Sequence, residues 1–439
     1  MKMSIANRHA TLATLFGIGL FVQVGLAQET NFSRKDINIS FRSKKISGFN
    51  FEEANAKKAD FVSATGSDIN FDKADLSGSN FQNAVFENPS FEGTNLKGAI
   101  IKSSDMRGSD FREANLDSAD LYRATLLDSR FDKASMKGAN LKAIKVSDEA
   151  KFNKSDLTGA NLEDVDFTRA DFSKSNLTNA KFGRSQMGEV DFSKSIMVAT
   201  DFNNCNLIRA DFSKVAMKGV NFSKAGLSRA IFDGADFENV NFQGADLSLT
   251  YFNDVDLSRA QLQKASFAQS KLKNMKFDKQ DLSGVVFDKS QLLNSTMEGT
   301  NLESSSYYDA EEISKISFKE ANLDKSVFDG AYVYKCVFDK ASMVKVNFAN
   351  SSIDRSSFNM SSMAGANFEG AKLSNVSFIN ADLKNSKFNA DTRLERVDFS
   401  GADLSRATFK KVQVKECLYD SKTIFPDGVS PKKMGFVKR

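Results

Sequence analysis

The chain has 439 residues with a strongly biased composition, which includes 40 Phe, 25 Gly and 3 Pro but no Trp and a single His. Lys plus Arg number 60 and Asp plus Glu 56, so the charge is nearly balanced. This balance argues against a surface that offers one uniform field to nucleic acid or to a membrane. An aromatic content made up almost entirely of Phe indicates a core in which one cavity shape recurs.

The N-terminal segment predicts a secretory signal peptide over residues 1–27. Two basic residues precede an apolar run over residues 12–22, and small residues flank Leu26. The run is shorter than the roughly 20 residues that a membrane-spanning helix needs. We therefore expect cleavage after Ala27, a periplasmic or secreted product, and no transmembrane segment in the mature chain.

From Phe41 onward, a large apolar residue recurs at every fifth position with few exceptions. A helix would spread these residues around its circumference, and a strand would place alternate ones on opposite faces. The backbone must therefore turn a corner once per pentad. A small residue lies two positions before each large one, and Asp or Asn often directly before it, as in Ala74-Asp75-Leu76.

This A(D/N)LXX pattern resembles the pentapeptide-repeat family over roughly residues 41–419. The resemblance implies an all-β fold, a right-handed quadrilateral parallel β-helix with four pentads per coil, and about eighteen coils. The large residue and the small residue before it would point inward. The sequence supports four sides independently, because one side repeats Phe at coil spacing: Phe51, Phe71, Phe91, Phe111, Phe131, Phe152, Phe172, Phe192, Phe212, Phe232 and Phe252.

The repeat divides the mature chain into one solenoid with two ends. We expect an N-terminal cap or irregular first coil over 28–50, the solenoid over 51–419, and a C-terminal cap or tail over 420–439. One-residue insertions are predicted near 147–151, 303–307 and 389–393, where bulges or widened corners would absorb them. The insertion near 303–307 would make Tyr308 a central residue. Beyond Phe252 the Phe residues move to the two neighbouring sides.

Residues capable of chemistry are few. The only His, His9, lies in the predicted signal peptide, which excludes His-dependent triads and His-ligated metals from the mature chain. The three Cys are Cys205, Cys336 and Cys417, and each occupies the small inward position of its pentad. We expect them to be buried residues that replace Ala in the core, with a reactive or intermolecular thiol as the alternative. The carboxylates lie on the repeat lattice. We expect no catalytic residue, cofactor or metal, and so no enzyme.

One surface feature is a candidate docking site. Five lysines recur at coil spacing beside the Phe side, with a row of three aspartates near them: Lys133, Lys154, Lys174, Lys194, Lys214, and Asp171, Asp191, Asp211. Because the repeated unit is Asp-Phe-Ser-Lys, a self-compensated solvated face is the simpler interpretation. A docking stripe for an acidic glycan, a lipid headgroup or a protein is the alternative.

These features together predict an exported, non-enzymatic structural or interaction scaffold. Its long flat faces would bind an unknown protein or another envelope component, not nucleic acid. The resemblance also allows a homodimer through a solenoid end. The alternative, implied by quinolone-resistance members of the family, is a DNA-mimicking protein that binds topoisomerases. The signal peptide and the near-neutral charge disfavour that alternative.

Overall fold

The computed structural model describes residues 29–253 and 256–439. The predicted signal peptide and His9 lie outside the described residues. The chain winds into a parallel β-solenoid of about 19 turns with almost no helix. Successive coils pair residues 20 apart, as in Asn70 with Ser90. The predicted quadrilateral parallel β-helix is confirmed.

Each coil has four faces, which we name A to D in chain order. In one regular coil their central residues are Phe71 on face A, Leu76 on face B, Phe81 on face C and Phe86 on face D, all buried. The predicted Phe ladder is therefore the central column of face A. Its rings stack, with 4.9 Å between the centroids of Phe91 and the next ring of the ladder.

The corners follow from hydrogen bonding within each pentad. The Ala74 N–H donates to the Phe71 carbonyl over 3.1 Å, and the Asn70 side-chain oxygen accepts the Asp72 N–H at 2.9 Å. Lys73, the outermost residue of the turn, has a φ of 56°. A left-handed conformation costs a non-Gly residue about 1–3 kcal/mol, which these bonds offset.

Some pentads form short strands that pair in parallel. On face D a five-stranded sheet contains β1 (Thr65–Ser67), β2 (Val85–Glu87), β3 (Asp105–Arg107), β4 (Thr125–Leu126) and β5 (Lys145–Val146). On face B a three-stranded sheet contains β6 (Ile196–Val198), β7 (Ala216–Lys218) and β8 (Asp236–Glu238).

The C-terminal half carries its longest sheet on face A. The elements in chain order are β9 (Tyr251–Asn253), β10 (Lys271–Lys273), β11 (Gln291–Leu293), β12 (Glu312–Ser314), β13 (Tyr332–Tyr334), β14 (Ser352–Asp354), β15 (Lys372–Ser374), β16 (Lys387–Phe388), β17 (Arg393–Glu395), β18 (Thr408–Phe409), β19 (Gln413–Lys415), β20 (Leu418–Tyr419), α1 (Pro431–Met434) and β21 (Val437–Lys438). Strands β16 and β18 pair on face D, β20 pairs with β21, and the others form the nine-stranded sheet.

The extra residues lie at the corner between faces D and A. The first separates β5 from Lys151, and the third lies between β16 and β17. The second lies one pentad later than predicted, because Tyr307 is the buried central residue and Tyr308 is 45% exposed. The Tyr307 ring stacks on the Phe287 ring at 5.2 Å and so continues the face D column.

Both ends of the described solenoid differ from the regular coils. Residues 31–50 form a coil that is one residue short, because Asn31 pairs with Asn50, 19 positions later. At the C-terminus, β21 adds to β20 and the buried Phe436 packs against Phe425, with 5.4 Å between ring centroids. The tail thus covers the last coil.

Candidate docking surface

The row of lysines lies on the corner between faces A and B. Each lysine occupies the outermost turn position and is exposed, with φ between 58° and 61°. The left-handed backbone projects these side chains outward from consecutive coils. We call the last four the lysine row: Lys154, Lys174, Lys194 and Lys214.

The lysine row forms no ion pair with the predicted aspartate row among the described residues. Within the described ranges, only Lys133 of the five lysines has a carboxylate within ion-pair distance, with 2.7 Å between its Nζ and Glu113. Asp171, Asp191 and Asp211 instead accept backbone N–H bonds from the serines two positions later, over 2.9, 2.7 and 2.8 Å. The carboxylates fix the turns and do not pair with the lysines.

Four unpaired ammonium groups on adjacent coils repel one another. Coils are separated by about 4.8 Å, the spacing of paired strands. This is less than the Debye length of about 8 Å at physiological ionic strength, so salt screens the repulsion only in part. A ligand with negative charges along an extended chain would relieve this repulsion.

The lysine row ends at a surface hollow of about 560 Å³. Lys214 lies against Gly234 of the next coil, and Gly234 lines the hollow. The apolar lining comes largely from Ile231 and Tyr251, which are 49% and 66% exposed. The rim carries one cation, Arg229, and one anion, Asp233. The row and the hollow form one continuous surface.

The hollow lies where the β-ladder of face A is interrupted. Asp211 pairs with Ile231, and β9 pairs with β10, but among the described residues no pairing joins Ile231 to Tyr251. Faces C and D stay closed at the same level, since Phe242 and Leu247 donate their N–H groups to the carbonyls of Gln261 and Ser266 at 2.8 and 2.7 Å. On face B the sheet ends at β8, and no pairing with the next coil is found among the described residues, so the interruption covers faces A and B.

The interruption coincides with a change in core layout. One coil carries Phe232, Phe237 and Phe242 on faces A, B and C, whereas the next carries Phe only at Phe252 and Phe267. The centroids of Phe232 and Phe252 lie 5.7 Å apart with a 21° tilt. Elsewhere in the ladder the spacing ranges from 4.7 Å between nearly parallel rings to 5.5 Å with a 22° tilt at Phe172–Phe192, where the backbone pairing is intact. The change in core layout, and not the ring spacing, marks the interruption.

The cysteines are buried hydrogen-bond donors. The Cys205 thiol donates to the carbonyl of Phe182 at 3.0 Å, and the Cys336 thiol to that of Ile313 at 3.3 Å. Burial raises the pKa of both thiols to about 12, and it also raises the pKa of Cys417. All three are free and buried, as expected for structural residues and not for reactive thiols.

The described part of the chain lacks two other kinds of site. No three side chains among His, Cys, Asp and Glu are grouped so that they could hold a metal ion. No helix among the described residues combines the length and the apolar character that a membrane span requires.

Sequence reasoning located the lysine row but missed the hollow and the break in the ladder. The available signal was Phe237, a third ring in a coil just before the ladder changes faces. The aspartates form no ion pair with the lysine row among the described residues, and each uses its Oδ1 to accept an N–H within its own turn.

Family models and solved structures place this architecture among known proteins. A model described as pentapeptide repeat region matches residues 185–262 and 311–388. A second, described as pentapeptide repeats in eight copies, matches residues 67–102, 104–142, 148–184 and 390–418, and the two together cover more than half of the chain. No curated protein sequence gives a significant match.

Three solved structures illustrate the similarity. HetL from the cyanobacterium Nostoc sp. strain PCC 7120, a pentapeptide repeat protein involved in heterocyst differentiation regulation, is 19% identical over 54% of this chain and 92% of its own, with a TM-score of 0.24. Full-length QnrB1, a plasmid-mediated fluoroquinolone resistance protein, is 16% identical over 52% and 90%, with a TM-score of 0.22. A pentapeptide repeat protein from the Arabidopsis thaliana thylakoid lumen is 23% identical over 28% and 69%, with a TM-score of 0.14.

Proposed function

The chain belongs to the pentapeptide-repeat family, and from that premise we propose that it is an exported, non-enzymatic interaction scaffold. Its rigid faces would hold a protein partner in the bacterial envelope or outside the cell. The observation that carries this proposal is the unpaired lysine row on consecutive coils of a continuous, disulfide-free solenoid. A fixed linear array of charge suits docking of an extended partner.

The export part of the proposal is supported by the first 27 residues. They combine basic residues, an apolar run and small residues before a cleavage position at Ala27. Burial of all three thiols is compatible with an oxidising compartment, because no pair is exposed to scrambling.

A DNA-mimicking topoisomerase-binding protein is the second function that the family suggests. Such a protein needs an acidic surface to imitate phosphates. The lysine row has the opposite sign, and the whole chain carries a formal charge of +4. The scaffold is the better supported proposal.

The test of export is fractionation of a Gram-negative host that expresses the full-length chain, with mass spectrometry of the N-terminal residue. We expect a periplasmic or secreted product that begins at Gln28. A cytoplasmic product that retains Met1 would refute export and make topoisomerase binding the next assay.

A further inference from the structure

We infer that the lysine row and the adjoining hollow form one binding site for an extended acidic polypeptide segment with a large apolar residue at one end. This inference deepens the proposed scaffold function by naming the chemistry of the partner, and it rests on that function for its biological meaning. Three features of the surface carry it: the charge row, the apolar hollow and, at the hollow, the break in the ladder.

The row supplies the recognition of charge. Lys154, Lys174, Lys194 and Lys214 occupy the same corner of four consecutive coils and have no carboxylate partner among the described residues. Successive acidic side chains of an extended strand on one face lie about 6–7 Å apart. Flexible lysine side chains from coils roughly 4.8 Å apart can follow that spacing.

The hollow supplies the anchor. The exposed Ile231 and Tyr251 side chains line it together with Leu249. Exposed apolar side chains gathered beside a polar rim are typical of an interaction site. A Phe- or Leu-sized side chain would cover them, and the Lys214–Gly234 contact sets this anchor at the end of the charge row.

The break in the ladder supplies backbone recognition. Between the two preceding coils, the Phe212 N–H donates to the Ile231 carbonyl at 2.8 Å. The equivalent bond from the Phe232 N–H to the Tyr251 carbonyl is missing among the described residues, as is the bond from the Tyr251 N–H to the Ala230 carbonyl. A peptide group at the end of the segment that enters the hollow can bond to such groups.

A polypeptide matches all three features, whereas an acidic glycan matches only the charge row. An acidic glycan has carboxylates but neither a large apolar side chain nor a peptide backbone that could bond to the unpaired groups in the hollow. The geometry therefore favours a peptide, and the glycan becomes an outcome of the test.

The test measures binding of a fluorescent peptide of six glutamates followed by one phenylalanine to the purified full-length chain, by fluorescence anisotropy at low and high salt. The row variant replaces its four lysines with Gln, which the turn tolerates because Gln269 adopts a φ of 58°. The matched control makes the same replacement at four lysines that occupy equivalent turns and have no ion pair among the described residues: Lys264, Lys279, Lys289 and Lys345.

The hollow has its own matched pair of variants. Ile231→Ser removes an apolar group from the hollow, whereas Ile208→Ser removes one of similar exposure, 43%, that does not line it. Both positions are exposed, so neither change removes a core contact.

We expect the row variant to weaken binding about tenfold or more, with loss at high salt, because several exposed ion pairs are removed together. Ile231→Ser should weaken it about threefold or more, while the four-lysine control and Ile208→Ser leave it unchanged. Equal loss in row and control variants, or no effect of Ile231→Ser, would overturn the site. Competition by polygalacturonate equal to that by polyglutamate would assign the row to an acidic glycan and also overturn it. None of these outcomes depends on export.

Discussion

The break in the face A ladder makes Phe237→Leu an informative substitution. Phe237 contacts the rings of Phe232 and Phe242 at 5.5 and 5.8 Å, and on face B it lies between the aliphatic central residues of the coils before and after it. If the Phe237 ring prevents the two coils from pairing on face A, the smaller Leu side chain should allow the backbone pairing between Ile231 and Tyr251 to form. Two backbone bonds would then form across the break, worth about 1–3 kcal/mol together.

The assay is hydrogen exchange of the Phe232 and Tyr251 amides, followed by mass spectrometry or NMR. We expect exchange at both amides to slow about tenfold or more, because about 1.4 kcal/mol corresponds to tenfold in an opening equilibrium. Phe202→Leu is the control, since Phe202 stacks on Phe182 and Phe222 at 5.0 and 5.2 Å in regular coils. Phe202 also meets Phe192 and Phe212 edge-on, so Phe202→Leu should destabilise the chain by about 2–6 kcal/mol through four lost ring pairs. Unchanged exchange at Phe232 in Phe237→Leu would refute the packing explanation of the break.

Three further predictions concern single residues. Cys205→Ser should change the denaturation midpoint little, because a hydroxyl can donate to the same Phe182 carbonyl; a large loss would contradict a purely structural thiol. Tyr307→Phe should destabilise the chain by about 1 kcal/mol, because the buried hydroxyl interacts with the Ser305 side chain as well as with the Met297 sulfur at 4.0 Å, and its loss leaves the buried Ser305 hydroxyl without a partner; a stabilised variant in a denaturant titration would contradict this. The Arg184 guanidinium lowers the pKa of Asp164 to about 2. The ionised Asp164 therefore adds to the free energy of unfolding above the unfolded-state pKa near 3.9, and this stabilisation is lost as the pH falls towards 2. Asp164→Asn should therefore reduce the loss of stability between pH 5 and 2, and an unchanged pH profile would contradict this assignment.

The fold could be predicted from the sequence because every pentad places the same residue types at the same positions and so adopts the same local structure. The five-residue period, the small residue two positions before Phe71, and the twentieth-residue ladder all specify the coil directly. The second insertion was misplaced because Tyr307 and Tyr308 are identical neighbours, and only the stacking of Tyr307 on Phe287 decides between them.

The sequence predicted one part of the candidate site, the lysine row, but not the hollow. The lysine row follows from spacing, but its lack of ion partners depends on the orientation of carboxylates such as that of Asp191, whose Oδ1 accepts the N–H of Ser193. The hollow depends on how two unlike layers meet, which no single pentad encodes. The segment 28–50 was expected to be a cap or an irregular coil, and the structure shows residues 31–50 as a coil one residue short.

The most direct test of the scaffold proposal is photo-crosslinking in cells that express the full-length chain. A photoreactive residue would replace Lys194 in the row or, as the matched control, Lys345 in an equivalent turn. We expect a protein adduct in the envelope or secreted fraction from position 194 only, and its loss when Ile231→Ser is added. Adducts of equal strength from both positions, or none from position 194, would contradict a docking function for this surface.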